Sequence, residues 1–254
     1  MKKLSTIIAA MSLLSCASAY GWRAPMRDLP KGISLETASA AEQKGDIARA
    51  HNDYQSAVAY YQRALRVSGG DSQLYNKMGI AQLSLKEYGA ARKSFQEAIK
   101  TDPHNANALN NLGALLCIQK KYKPALTDLR QALELDEANA PYHVNMAEAW
   151  MGLNDIERAM NEYARAMELD PDVFDVENGG VVAQLRTPEQ IARTDFLIAK
   201  LYARRGNMEG ALDYLQRAKV GHYSQLSDVY TDKEFAGLWK DPRLQSIVKP
   251  QDKP

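Results

Sequence analysis

Residues 106–139 read ANALNNLGALLCIQKKYKPALTDLRQALELDEAN. Leu109, Leu112, Gly113 and Leu116 recur at i, i+3, i+4 and i+7, and Ala125, Leu129, Ala132 and Leu133 follow with the same helical period. Polar Gln119-Lys120-Lys121 separates the two runs. The stretch therefore predicts two amphipathic helices joined by a short turn. Neither helix can bury its apolar stripe alone, so each needs neighbours of the same kind.

The neighbours are written at a step of 34 residues. Gly113 aligns with Gly79 and Ala147, Ala125 with Ala91 and Ala159, Leu129 with Phe95 and Tyr163, and Ala132 with Ala98 and Ala166. Such a period marks a repeat architecture. Asp102-Pro103 and Asp170-Pro171 close second helices, because proline disfavours helix at the preceding residue and suits the first turn of the next. The units are 72–105, 106–139 and 140–173. A further step back puts Gly45, Ala57, Tyr61 and Ala64 in the same columns and gives a first unit at 38–71. There the first helix is poorer, with Lys44 in an apolar column and Gly45-Asp46 able to interrupt it.

In this pattern the chain resembles the tetratricopeptide repeat (TPR) family, whose unit has large residues at positions 4, 7, 11 and 24, small ones at 8, 20 and 27, and proline at 32. Glu137 in place of that proline and His143 at position 4 are departures. The resemblance implies an all-α fold: a right-handed α-solenoid of about five TPR helix pairs with C-terminal capping helices. Small residues let helix backbones approach closely. After 173 the period breaks and resumes at 192–221, through Ile198, Ala199 and Tyr202, then Ala211, Leu215 and Ala218. The intervening 174–191 is an insertion with the apolar Val181-Val182-Ala183 and a helix start at Thr187-Pro188-Glu189-Gln190, where Thr187 caps and Gln190 reaches back. Residues 222–254 form a C-terminal cap and tail, with helix starts expected at Thr231 and at Asp241-Pro242.

The first nineteen residues read as an address. Lys2 and Lys3 precede an apolar run, and Ala17-Ser18-Ala19 offers small residues to a signal peptidase, so 1–19 is expected to be an export signal, with 20–37 a linker and the start of the first helix. Leu13-Leu14-Ser15-Cys16 also resembles the lipobox of bacterial lipoproteins, which makes lipidation at Cys16 the alternative. Export to the periplasm or beyond, or lipid anchoring in the envelope, follows. In either case Cys117 is the single cysteine left and closes no internal disulfide.

Composition narrows the function. The chain has 254 residues with Lys+Arg 32 against Asp+Glu 31, a net charge of +1, which lacks the basic excess of a protein gripping a phosphate backbone. Nucleic acid is not an expected partner, and no apolar run is long enough for a transmembrane span, so a membrane is expected only through Cys16. His51, His104, His143 and His222 are scattered, without zinc-ligand spacing. Asp170, Asp172, Asp175 and Glu177 fall short of a calcium loop, and neither a nucleophile elbow nor a phosphate loop occurs. The chain reads as noncatalytic, with no metal and no cofactor. An enzyme or lid-bearing ligand-binding protein using 174–191 and the C-terminal segment is the alternative.

A stack of helix pairs carries one surface suited to binding, the concave face lined by first helices. Positions 4, 7, 8 and 11 face the core, which leaves Asn76, Lys77, Ile80, Asn107, Asn110, Asn111, Ala114, Asn145 and Glu148 for the groove. Asn111 and Asn145 share position 6, which resembles the asparagine ladder with which some family members hold extended peptide backbone. An amide donates to C=O and accepts from N–H, so such a row reads backbone. The family's clamp for acidic heat-shock C-termini needs Lys or Arg where this chain has Pro141 and Asn145. The expected partner is a protein or peptide, held for assembly or secretion.

Overall fold

A computed structural model describes residues 37–174 and 187–249. The export signal, Cys16, the linker to residue 36, insertion residues 175–186 with Val181 and Val182, and the tail from 250 lie outside the described residues. The described chain is built of helix pairs: α1 (Ala38–Ala50) and α2 (Tyr54–Ser68), α3 (Ser72–Ser84) and α4 (Tyr88–Thr101), α5 (Ala106–Ile118) and α6 (Tyr122–Leu135), α7 (Ala140–Gly152) and α8 (Ile156–Leu169), and α9 (Pro188–Arg204) and α10 (Met208–Val220). Each helix packs on its own partner, α2, α4, α6 and α8 each pack on the first helix of the next pair, and no strand occurs among the described residues.

Local chemistry sets the helix starts. Asp53, Asp71, Asn105, Asp155 and Asn207 each turn a side-chain oxygen onto a backbone N–H of the first turn, satisfying a donor with no partner inside the helix. The turn inside each pair is equally regular. Asn52, Lys86, Lys120 and Asn154 have φ of 59°, 61°, 58° and 61°, and Gly206 has 77°. All five occupy position 15, where the chain must swing into the left-handed region to reverse direction. The next N–H then reaches back to the carbonyl of position 11, from Asp53 to Ala48 at 2.8 Å and from Lys121 to Leu116 at 2.8 Å.

Within a pair, a small residue at position 8 faces a large one at position 24. A Cβ on Gly79 would lie 2.5 Å from the Phe95 ring, and one on Gly113 would lie 2.6 Å from Leu129 Cγ. Tyr61, Phe95, Leu129 and Tyr163 fill these contacts and are fully buried. Gly45-Asp46 does not interrupt α1, which runs unbroken with the Tyr61 ring seated against the bare Gly45 backbone.

At the far end, α9 starts early with Thr187 and Gln190 forming the expected reciprocal cap. Two 3₁₀ segments, Leu226–Tyr230 and Lys233–Leu238, and α11 (Pro242–Ile247) bury Val229, Phe235, Leu238 and Leu244 against the fifth pair. The cap expected at Thr231 is made one residue later: Asp232 accepts from Glu234 N, while the Thr231 hydroxyl donates to Asp228 C=O. Asp241 caps α11 as expected.

Candidate binding face

Successive first helices touch directly, α3 with α5 and α5 with α7, whereas the second helices make no comparable contact among the described residues. The first helices therefore form the inner line of the stack. Along it, position 6 of each unit donates to position 5 of the unit before. Lys77 Nζ reaches Glu42 at 2.8 Å, Asn111 Nδ2 reaches Asn76 Oδ1 at 2.9 Å, and Asn145 Nδ2 reaches Asn110 Oδ1 at 2.9 Å, each across 35 residues. The Tyr142 hydroxyl donates to Asn107 Oδ1 across the same interval. Asn110 Nδ2 lies 3.4 Å from Asn111 Oδ1 and links two rungs into one line. At the step to α9 the equivalent positions are Val144 and Leu197, and the row becomes apolar.

The residues expected in the groove thus divide. Asn107 is exposed, and Lys77, Ile80, Asn111 and Glu148 are half-buried. Asn76, Asn110 and Asn145 keep only 5%, 6% and 9% of their surface, Asn76 accepting from Asn111 and Asn110 accepting from Asn145 between units. Ala114 keeps none. On α5, flanked by α3 and α7, it packs as a spacer and presents no surface to a partner.

A second relation joins position 24 to position 9. The Tyr61 hydroxyl donates to Asp46 Oδ1 at 2.7 Å, and the Tyr163 hydroxyl donates to Glu148 Oε1, which also accepts from Thr194 Oγ1 at 3.3 Å. Where position 24 is Phe95 or Leu129, position 9 is Ile80 or Ala114. The sequence carried this signal as a tyrosine paired with an acid fifteen residues earlier, in the first and fourth units alone. Burial raises the Asp46 carboxyl, but hydrogen bonds from Lys77 and Tyr61 outweigh it and hold it below the usual range. Burial lowers Lys77, and its bonds to Asp46 and Glu42 reverse that and raise it. Burial, then the bond to Asp46, pushes the Tyr61 hydroxyl up to about 12.

The two departures from the repeat pattern meet. His143 Nδ1 lies 2.7 Å from Glu162 Oε2 and its Nε2 lies 3.0 Å from the Glu137 carbonyl, so the ring ties α7 to α8 and to the preceding loop. Among the described residues no three His, Cys, Asp or Glu side chains gather as metal ligands. No described helix is long and apolar enough to cross a membrane.

Models of the tetratricopeptide repeat match residues 38–70, 76–140 and 116–185, together more than half the chain. The chain belongs to the tetratricopeptide repeat family. Its TPR stack is similar to MamA 41-end from Desulfovibrio magneticus RS-1, at 20% identity over 74% of this chain and 96% of that one, with a TM-score of 0.52. A second MamA structure is 16% identical over 77% of this chain and 95% of that one, with a TM-score of 0.50. YrrB, a TPR protein with an unusual peptide-binding site, is 21% identical over 75% of this chain and 90% of its own, with a TM-score of 0.49. No curated protein matches the chain significantly. TPR stacks act by holding proteins on their surfaces, and this chain is a protein-interaction scaffold of that kind.

Proposed function

We propose that the protein is a noncatalytic scaffold of the bacterial cell envelope that holds an extended peptide or partner segment along the inner line of α3, α5 and α7, in the assembly or secretion of other proteins. One observation carries this reading: the asparagine line on that face. Each rung uses one Nδ2 hydrogen and one Oδ1 lone pair, and an amide has two of each. The second set can pair with peptide backbone, and the rungs hold the amides at fixed orientation, so little side-chain entropy is lost on binding. Export is supported by the residues of 1–19, either with cleavage after Ala19 or with lipidation at Cys16.

A photo-crosslinking residue at Asn107, exposed on the inner face, should capture a defined partner from envelope extract. The same residue at Arg130, exposed on α6, should not. Equal capture at both sites would contradict the groove. Mass spectrometry of the mature N-terminus should find Tyr20 or a triacylated Cys16, and an intact Met1 in native cells would contradict export.

A further inference from the structure

The helix pairs present two edges. The start of α5 bonds α3 through Asn105 and Ser72 and again through Asn111 and Asn76, and α7 bonds α5 through Tyr142 and Asn107 and through Asn145 and Asn110, so these first helices run parallel. The turns inside the second, third and fourth pairs therefore share one edge of the stack. The loops that follow each pair share the other, one helix length or about 20 Å away.

The two edges differ in charge. On the turn edge of the second and third pairs stand Lys86, Lys120, Lys121 and Lys123, all exposed, with Glu87 the single acid in 85–88 and 119–123. On the loop edge, 102–105, 136–139 and 170–173 read DPHN, DEAN and DPDV, with acids in each and no Lys or Arg. Glu134 adds a further acid at the end of α6, and beside it Leu135 keeps 42% of its surface. Among the described residues, none of the four lysines and none of Glu134, Asp136 and Glu137 has an ion pair.

Both rows step with the repeat. Lys86 and Lys120 hold position 15 of successive units, and Asp102, Asp136 and Asp170 hold position 31. Two stacks lying side by side in register set each lysine turn against an acidic loop at the same spacing. The surface that complements the turn edge, in sign and in step, is thus on the chain itself, with the exposed Leu135 at its centre.

We propose that the turn edge docks on the loop edge of a second copy, with Lys86, Lys120, Lys121 and Lys123 facing the acids around Leu135. The contact is heterologous, so it builds open rows or closed rings of stacks. It uses the helix ends and leaves the inner face of every copy uncovered, so it stands apart from the groove reading. Exposed ion pairs are individually weak and screened by salt, which makes the association sensitive to dilution and ionic strength.

Sedimentation velocity on the full chain tests this. At ~20 mM salt the wild-type sedimentation coefficient should rise with concentration, and at ~0.5 M salt it should fall to the monomer value. Lys121→Glu with Lys123→Glu, and separately Glu134→Lys with Glu137→Lys, should each stay monomeric at low salt, because each removes the opposition of charge between the edges. An equimolar mixture of the two should recover a dimer, since the intact loop edge of the first then meets the intact turn edge of the second. Lys93→Glu with Arg130→Glu makes the same charge change at exposed positions of α4 and α6 away from both edges, and should associate as the wild type does. A wild type that stays monomeric at low salt, a mixture that recovers no dimer, or equal loss in Lys93→Glu with Arg130→Glu would overturn the inference. Flotation with phosphatidylglycerol vesicles covers the other occupant: a monomeric wild type that binds them through Lys121 and Lys123 would assign the turn edge to a lipid surface and overturn the self-contact. Melting curves accompany each variant, and if one edge variant fails to fold, the other and the wild-type salt dependence decide.

Discussion

Asn111 donates to Asn76 across 35 residues, one repeat and one position, at 2.9 Å. The same step recurs between Asn145 and Asn110 and between Lys77 and Glu42. The side chains along the inner line therefore join one repeat to the next. Asn110 is the junction, accepting from Asn145 and lying within reach of Asn111. Asn110→Ala leaves the buried Asn145 Nδ2 without its acceptor and should cost about 1–3 kcal/mol in urea denaturation. A change near zero would mean the rungs do not bind the repeats together.

The left-handed turn at position 15 carries lysine in two units. Lys86 and Lys120 sit at φ of 61° and 58°, where a side chain is disfavoured and glycine is not. Lys86→Gly and Lys120→Gly should each stabilise the protein by about 0.5–1 kcal/mol, and melting curves would register the gain. The fifth unit already has Gly206 at this place.

Gly113 touches Leu129 so closely that Gly113→Ala would place a methyl 2.6 Å from its Cγ. The pair must spread, and the loss should be about 1–3 kcal/mol, despite the better helix propensity of alanine. Gly89 has no atom within 4 Å of a built Cβ, so Gly89→Ala should be neutral or stabilising in the same assay.

The cluster of Asp46, Lys77 and Tyr61 fixes a pH window. Asp46 is held below its free value of 3.8, so its contribution is complete above about pH 4 and disappears as pH falls through the lowered value. Lys77 is raised above 10.5, and Tyr61 is raised from 10.0 to about 12. Their contributions are complete below pH 10 and are lost as pH rises through the raised values. Stability measured by urea should be flat between these limits and fall on both sides. Tyr61→Phe should remove part of the alkaline fall.

Much of this was legible in the sequence, because the repeat step and the caps are one-dimensional signals. The small residues Gly79 and Gly113 facing Phe95 and Leu129 follow from the columns alone, as does the reciprocal cap of Thr187 and Gln190. The weakness at Gly45 is legible because helix propensity is local, whereas the Tyr61 ring that offsets it comes sixteen residues later. The turn at position 15 was hidden because lysine and asparagine stand where glycine would have announced a positive φ. The columns put the inner asparagines on the first helices but carry no sign that they also bond between units. Their pairing with position 5 of the preceding unit depends on how closely the first helices approach, and no pattern within one repeat encodes that distance. The burial of Ala114 is hidden from the sequence for the same reason, since α3 and α7 flank it on either side.

Hydrogen exchange on the full chain with and without its captured partner tests the central claim most directly, since amide protection reports which helices the partner stabilises or covers. Slowing should concentrate in α3, α5 and α7, with α4, α6 and α8 little changed. Protection confined to the second helices, or to residues 226–247 at the C-terminal end, would contradict a partner held on the inner face.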